Sequence, residues 1–192
     1  MRIIGGTAAG KIIKVPKGLS VRPTPDLVRQ AIFNRLGEFV EDARMLELFG
    51  GSGALSLECL SRGAKSALCV ELSGKHARFI QGNHQVCGFG PAAFSVAVED
   101  VFHALPRLAA AGRKFDLVMA DPPFGEKNVN RRSVSLSQKL LDDEHLPDLL
   151  PDHGIFVLGH THRDQLEITP AWQEHKKMMR HGDSCMRFLK RS

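Results

Sequence analysis

The chain has 192 residues, 43% of them hydrophobic and 24% charged, with 26 Lys and Arg against 21 Asp and Glu and a formal net charge of +5. At roughly 100–200 residues per domain this describes one folded domain and excludes both a disordered chain and two large domains. No apolar run approaches the ~18 residues that cross a bilayer, and the opening MRIIGGTAAGKIIKVPKG has no long apolar stretch leading to a small-residue cleavage site. A cytoplasmic protein with no membrane partner is expected.

Charge is unevenly distributed. Residues 1–35 hold seven Lys/Arg against one Asp, residues 36–170 hold 13 against 18, and residues 171–192 hold six against two. Basic ends around an acidic middle suggest a catalytic body whose extensions meet a polyanion. Cys59, Cys69, Cys87 and Cys185 stand far apart, with no CxxC or similar metal spacing, so four reduced thiols are expected.

In chain order, Arg2 to Ile4, the Gly5-Gly6 pair and Lys11 to Val15 read as a hairpin closed by Pro16 and Gly18. In RPTPDLVRQAIFNRL, Thr24 reads as an N-cap and Pro25 as the first helical residue. Leu27, Val28, Ala31, Ile32 and Leu36 then form an apolar face, with Arg22, Arg29 and Arg35 directed outward. Beyond Arg44 short apolar runs alternate with amphipathic segments. Candidate strands are 45–49, 67–70, 93–98, 115–120, 155–158 and 186–189; candidate helices are 54–61, 74–86, 100–110 and 135–150. This alternation predicts an α/β fold with a doubly wound, mostly parallel sheet, whose ligands bind beyond the carboxyl ends of the strands. GEKNVNRRSVS, residues 125–135, reads as a polar loop.

Three strand ends carry chemistry. The first gives Glu47, Leu48, Phe49, Gly50, Gly51, Ser52 and Gly53 before a helix, where glycines bring a ligand close to backbone N–H groups. Glu71, twenty residues beyond Gly51, stands where a nucleoside-binding fold places its ribose-binding carboxylate. Ser56 occupies the third glycine position of GxGxxG, so the loop is an incomplete dinucleotide fingerprint. Asp100 could accept from an adenine amino group or cap the next helix.

The fourth strand runs into Asp121, Pro122, Pro123 and Phe124. Two prolines remove N–H donors and stiffen the loop, leaving acceptors and an aromatic face. A base NH2 is a feeble nucleophile, because its lone pair is delocalised into the ring. A site that methylates it must aim the nitrogen at the methyl donor and accept its hydrogens. The Asp121 carboxylate and Pro122 carbonyl suit that task, Phe124 could stack on the base, and Asp121 or a water could take the proton.

RIIGG with Gly10, RPTPDLVRQAIFN, LELFGGSGALSLECLSRGA, DPPF and HGDSCMRFLKR together resemble the RsmD family of class I, S-adenosylmethionine-dependent methyltransferases. These segments span almost the whole chain, and their combination is more specific than DPPF alone. The resemblance implies a Rossmann-like, seven-stranded sheet with its last strand antiparallel, preceded by an N-terminal hairpin and helix. It further implies methylation of a guanine N2 in 16S ribosomal RNA, within the small ribosomal subunit or an assembly intermediate; size and the lack of an obvious interface stripe favour a monomer. The cofactor site would comprise Glu47, Phe49, Gly50, Gly51, Ser52, Gly53, Glu71, Asp100 and Asp121. Asp121, Pro122, Pro123 and Phe124 would be catalytic. Lys11, Lys14, Arg22, Thr24, Arg29, Arg131 and Arg132 would meet RNA, residues 1–36 acting as a docking extension to a methyltransferase domain at 37–192. Departures from the family pattern are Glu47 for Asp, Gly50 for Ala and Phe124 for Tyr. Gly159 precedes His160 where an acid is common, and His181 stands where Tyr is usual.

His160, His162 and Asp164 offer too few convergent ligands for a metal, so none is expected. No Cys follows the fourth strand to act as a nucleophile. A nicotinamide-dependent dehydrogenase would share the glycine loop and Glu71 but have no use for DPPF. An adenine-N6 methyltransferase acting on DNA or RNA would share DPPF. A non-catalytic ribosome-assembly factor would be expected to have lost Gly51, Glu71 or Asp121, and all three are intact.

Overall fold

The computed structural model describes residues 1–16, 24–123 and 132–192. Arg22, Phe124 and Arg131 lie outside the described residues. The chain divides into two compact units, Met1–Ala104 and Leu105–Ser192.

In the first unit β1 (Arg44–Leu48), β2 (Ser66–Glu71) and β3 (Phe94–Val98) are parallel. Strands β1 and β2 are buried almost throughout, which is why they read as continuous apolar runs. Helix α1 spans Asp26–Leu36, α2 Ala54–Ser61, α3 Gly74–Cys87 and α4 Val101–Ala110. Helix α2 matches its expected limits and is buried at all eight residues.

The N-terminal segment covers α2, and Ile3, Ala8 and Ile13 share a core with Ala54, Leu57 and Cys87. The expected hairpin is present but short: around the antiparallel bridge of Arg2 with Ile12, Ile3 N donates to the Lys11 carbonyl at 2.9 Å and Ile13 N to the Met1 carbonyl at 3.0 Å, and the pairing does not extend to Ile4 and Gly5. Its neighbouring donors are drawn to α2 instead: the buried Glu58 carboxylate accepts from Ile4 N and Gly5 N at 2.8 and 2.9 Å. Gly6 has φ +75°, and a Cβ there would stand 1.7 Å from the Ser61 carbonyl oxygen, so only glycine permits this approach.

Two expectations for α1 are corrected. Pro25 is the N-cap and makes no side-chain cap bond, so Thr24 is one residue too early to cap the helix. The buried face is Val28, Arg29, Ile32, Phe33 and Leu36, while Leu27 is 64% exposed. The face is rotated by about one position because buried partners are available to Arg29.

In the second unit β4 (Leu117–Ala120) is parallel to β5 (Ile155–Thr161), and β7 (Ser184–Arg191) is antiparallel to both β5 and β6 (Trp172–His181). The antiparallel last strand is therefore present. Strand β6 escaped the sequence reading because it is an edge strand, largely exposed and dominated by polar residues. The helix expected over 135–150 stops early, as α5 (Leu136–Asp142). Asp143 Oδ1 accepts from His145 N and Leu146 N, turning the backbone, and Pro147 then opens a separate 3-10 turn.

Among the described residues no helix is long and apolar enough to cross a membrane. All four cysteines are free and buried.

Candidate functional site

In the first unit the carboxyl ends of β1, β2 and β3 bring together Glu47, the loop 49–53, Glu71 and Asp100. Gly51 and Gly53 adopt φ of +56° and +73°. Phe49 is also left-handed, at +61°, a costly conformation for an aromatic residue and one that tends to cluster at functional sites. Its ring meets Phe102 edge-on at 6.4 Å. Gly50 serves packing: a Cβ there would lie 2.2 Å from Cys69 Sγ and 3.1 Å from Ile80 Cδ1.

Glu71 holds the loop in place. One carboxylate oxygen accepts Gly51 N at 2.7 Å, the other accepts Ser73 N at 2.8 Å, and His76 Nδ1 lies 3.4 Å from it. A carboxylate offers about four lone-pair sites, so two backbone bonds leave acceptor capacity for a ribose diol.

Glu47, expected at the cofactor, lies beneath the loop instead. It is 3% exposed and accepts Ser56 N in the first turn of α2 at 2.9 Å, replacing the side-chain cap that Gly53 cannot supply. Burial pushes its carboxyl up to about 7, partly offset by hydrogen bonds from Ser56 and Leu55. This occupancy bears on the cofactor. A dinucleotide-binding fold places pyrophosphate at that helix N-terminus. Here a buried carboxyl group already takes the donors, an arrangement suited to an adenosyl cofactor without phosphates. Asp100 caps α4, its Oδ1 accepting Phe102 N at 2.7 Å.

In the second unit Asp121 follows β4 and is half-buried; Pro122 is buried and Pro123 exposed. The Asp121 carboxylate lies against the bare backbone of Gly159 on β5, where a Cβ would stand 2.3 Å from Oδ1. Ser137 Oγ in turn donates to the Gly159 carbonyl at 3.0 Å. The sequence marked Gly159 only as a departure from the family pattern. His160 is buried, with Nδ1 donating to the Thr161 carbonyl at 2.9 Å; burial, then Arg187, lowers its pKa. No group of three or more His, Cys, Asp or Glu among the described residues is placed to hold a metal.

Several residues expected at RNA are engaged elsewhere. Arg29 is fully buried, donating to the Thr24 carbonyl at 3.1 Å, the Arg2 carbonyl at 2.5 Å and Asp26 Oδ1 at 3.1 Å. Thr24 is itself buried. Lys11 Nζ donates to the Val86 and Cys87 carbonyls at the end of α3, at 2.9 and 3.2 Å. Arg132 pairs with Asp142 and Glu167 at 2.6 and 2.8 Å. Lys14 is exposed, with its backbone held by Asn83.

A family model described as conserved hypothetical protein 95 matches residues 1–190. The chain is 32% identical to the ribosomal RNA small subunit methyltransferase D of Escherichia coli strain K12, over 92% of this chain and 83% of that one. It is 31% identical to the protein of the same name from Haemophilus influenzae, over 88% and 83%. Among solved structures, the Escherichia coli protein yhhF superposes with a TM-score of 0.79 at 30% identity, covering 100% of this chain and 98% of that chain.

Proposed function

We propose that the chain, which belongs to the conserved hypothetical protein 95 family of RsmD-type methyltransferases, methylates the exocyclic N2 of a guanine in 16S ribosomal RNA. The broader activity, ribosomal RNA methylation with S-adenosylmethionine as donor, follows from that membership. The substrate is the small ribosomal subunit or an assembly intermediate of it. The observation that carries the reading is Asp121-Pro122-Pro123 at the end of β4, within a family match that runs nearly end to end.

S-adenosylmethionine supplies an electrophilic methyl on a sulfonium centre. Gly51, Ser52 and Gly53 shape the backbone that receives the adenosyl cofactor, Glu71 accepts from the ribose hydroxyls, and Glu47 acts from below as a positioning residue. Asp121 and the Pro122 carbonyl accept the two amine hydrogens, leaving the nitrogen lone pair directed at the methyl. As the C–N bond forms the S–CH3 bond would break, the electron pair staying on sulfur as the thioether S-adenosylhomocysteine leaves, and the cationic amine would shed a proton to Asp121 or to a water. Phe124 stacks on the guanine presented or flipped from its helix. Lys14, exposed on the N-terminal segment, contributes to RNA docking.

The test is transfer of labelled methyl to unmodified small subunits, naked ribosomal RNA and duplex DNA, followed by nucleoside digestion and mass analysis. N2-methylguanosine from the subunits is expected. Methyladenine would move the enzyme to the adenine-N6 class, and cofactor binding without transfer to any substrate would refute the catalytic reading as stated.

A further inference from the structure

We propose that strand β6 and its turn into β7 form a phosphate-binding edge for the RNA substrate, with Lys176, Lys177 and Arg180 as its contacting cations. The inference rests on the RNA methyltransferase reading and adds to it a surface at the end of the chain opposite the N-terminal segment.

Strand register places this edge beside the catalytic loop, within one compact unit. Ala120 pairs with Leu158, and the next residue, Asp121, lies against Gly159. Gly159 pairs with Met186, which pairs with Met179. One step further, His160 pairs with Cys185 and Cys185 with Arg180. Arg180 and His181 therefore end β6 on the same rim of the sheet as Asp121. At ~4.8 Å between neighbouring strands they stand three spacings away, about 14 Å. A strand of RNA whose target base sits at Asp121 passes this rim with its neighbouring phosphates.

The chemistry of the edge suits a polyanion. His175, Lys177, Arg180 and His181 are exposed and Lys176 is half-buried. Glu174 is the sole acid on β6, and it pairs with Arg187 of β7. Burial, and after it the adjacent Lys190 and Lys176, lowers the pKa of His175. Lysines on an edge strand also prevent edge-to-edge pairing. Strand β6 already has two register irregularities, between Glu174 and Lys176 and between Lys176 and Met179, that blunt its edge. The cluster thus exceeds what protection of the edge requires.

The test uses the full chain carrying K176E, K177E and R180E together, with unmodified 16S ribosomal RNA as the probe, in filter binding between 50 and 200 mM salt. Affinity is expected to fall roughly tenfold or more, and the slope of log K against log salt to shrink by about 2, since each single-strand phosphate contact contributes ~0.7. S-adenosylmethionine affinity and the melting temperature should stay at wild-type values, and K65E, a single charge reversal before β2, should leave the RNA slope unchanged. If the triple variant misfolds, K176Q with K177Q provides the same readout with an expected slope change of about 1.4. A wild-type slope in a folded variant overturns the docking edge while the methyltransferase reading stands. A wild-type chain that neither binds nor methylates ribosomal RNA overturns both.

Discussion

Replacing Glu47 by Gln isolates the buried acid beneath the cofactor loop. Burial raises its carboxyl from 4.5 to about 7, so between those values the folded chain binds a proton that the unfolded chain has released. Stability from this group is complete below pH 4.5 and is lost as pH rises through 7. At about 1.4 kcal/mol per pH unit the loss is about 3 kcal/mol. Gln keeps an oxygen for Ser56 N and removes the ionisation, although its amide N–H groups need partners and a missing one costs roughly 1–3 kcal/mol. Those partners set the constant offset between the two proteins, while the pH dependence of the difference comes from the Glu47 carboxyl alone. Urea unfolding of both proteins from pH 4.5 to 8.5 should give a stability difference, variant minus wild type, that climbs by about 3 kcal/mol. A flat difference would show that Glu47 is not neutral in the folded state below pH 7, and that the group is solvated or ion-paired rather than buried as described.

Asp121→Ala should lower turnover by about 10²- to 10⁴-fold with little change in the S-adenosylmethionine dissociation constant, measured by calorimetry and single-turnover transfer. Glu71→Ala should do the reverse. It removes the acceptor for Gly51 N and Ser73 N, and at ~1.5–3 kcal/mol per charged hydrogen bond the cofactor dissociation constant should rise at least tenfold. Gly50→Ala drives a methyl to 2.2 Å from Cys69 Sγ and should cost about 1–3 kcal/mol in the urea midpoint. Most of that loss should return when Cys69→Ala is added, and equal losses in both backgrounds would disprove the contact.

The parts of the fold legible in the sequence are those whose burial is uniform. Strands β1 and β2, and likewise β4 and β5, form enclosed parallel pairs, so their apolar runs identify them, and α2 is marked by the glycine loop that precedes it. Strand β6 is an edge, and nothing in WQEHKKMMRH separates an edge strand from a loop. The glycine loop, Glu71 and Asp121 could be read because their chemistry is tied to spacing and to strand ends. The role of Glu47 could not. An acid two residues before the loop looks the same whether it faces a ligand or caps the helix beyond, and only its burial and the 2.9 Å bond to Ser56 decide.

Arginine and lysine counts failed for a related reason. The partners of Lys11 lie 75 and 76 residues away and one partner of Arg132 lies 35 away, so no local pattern could show that these cations were occupied. Their pairing does not remove the net charge of +5, which attracts a polyanion from beyond the ~8–10 Å screening length only weakly at physiological salt. Contact is a separate matter, since a phosphate must reach a guanidinium or ammonium not enclosed by protein. Arg29 contributes to the charge total yet is fully buried. A basic terminus therefore predicts affinity for a polyanion better than it predicts the contacting residues. Those depend on which cations the fold leaves exposed along the rim that carries Asp121, and β6 supplies them.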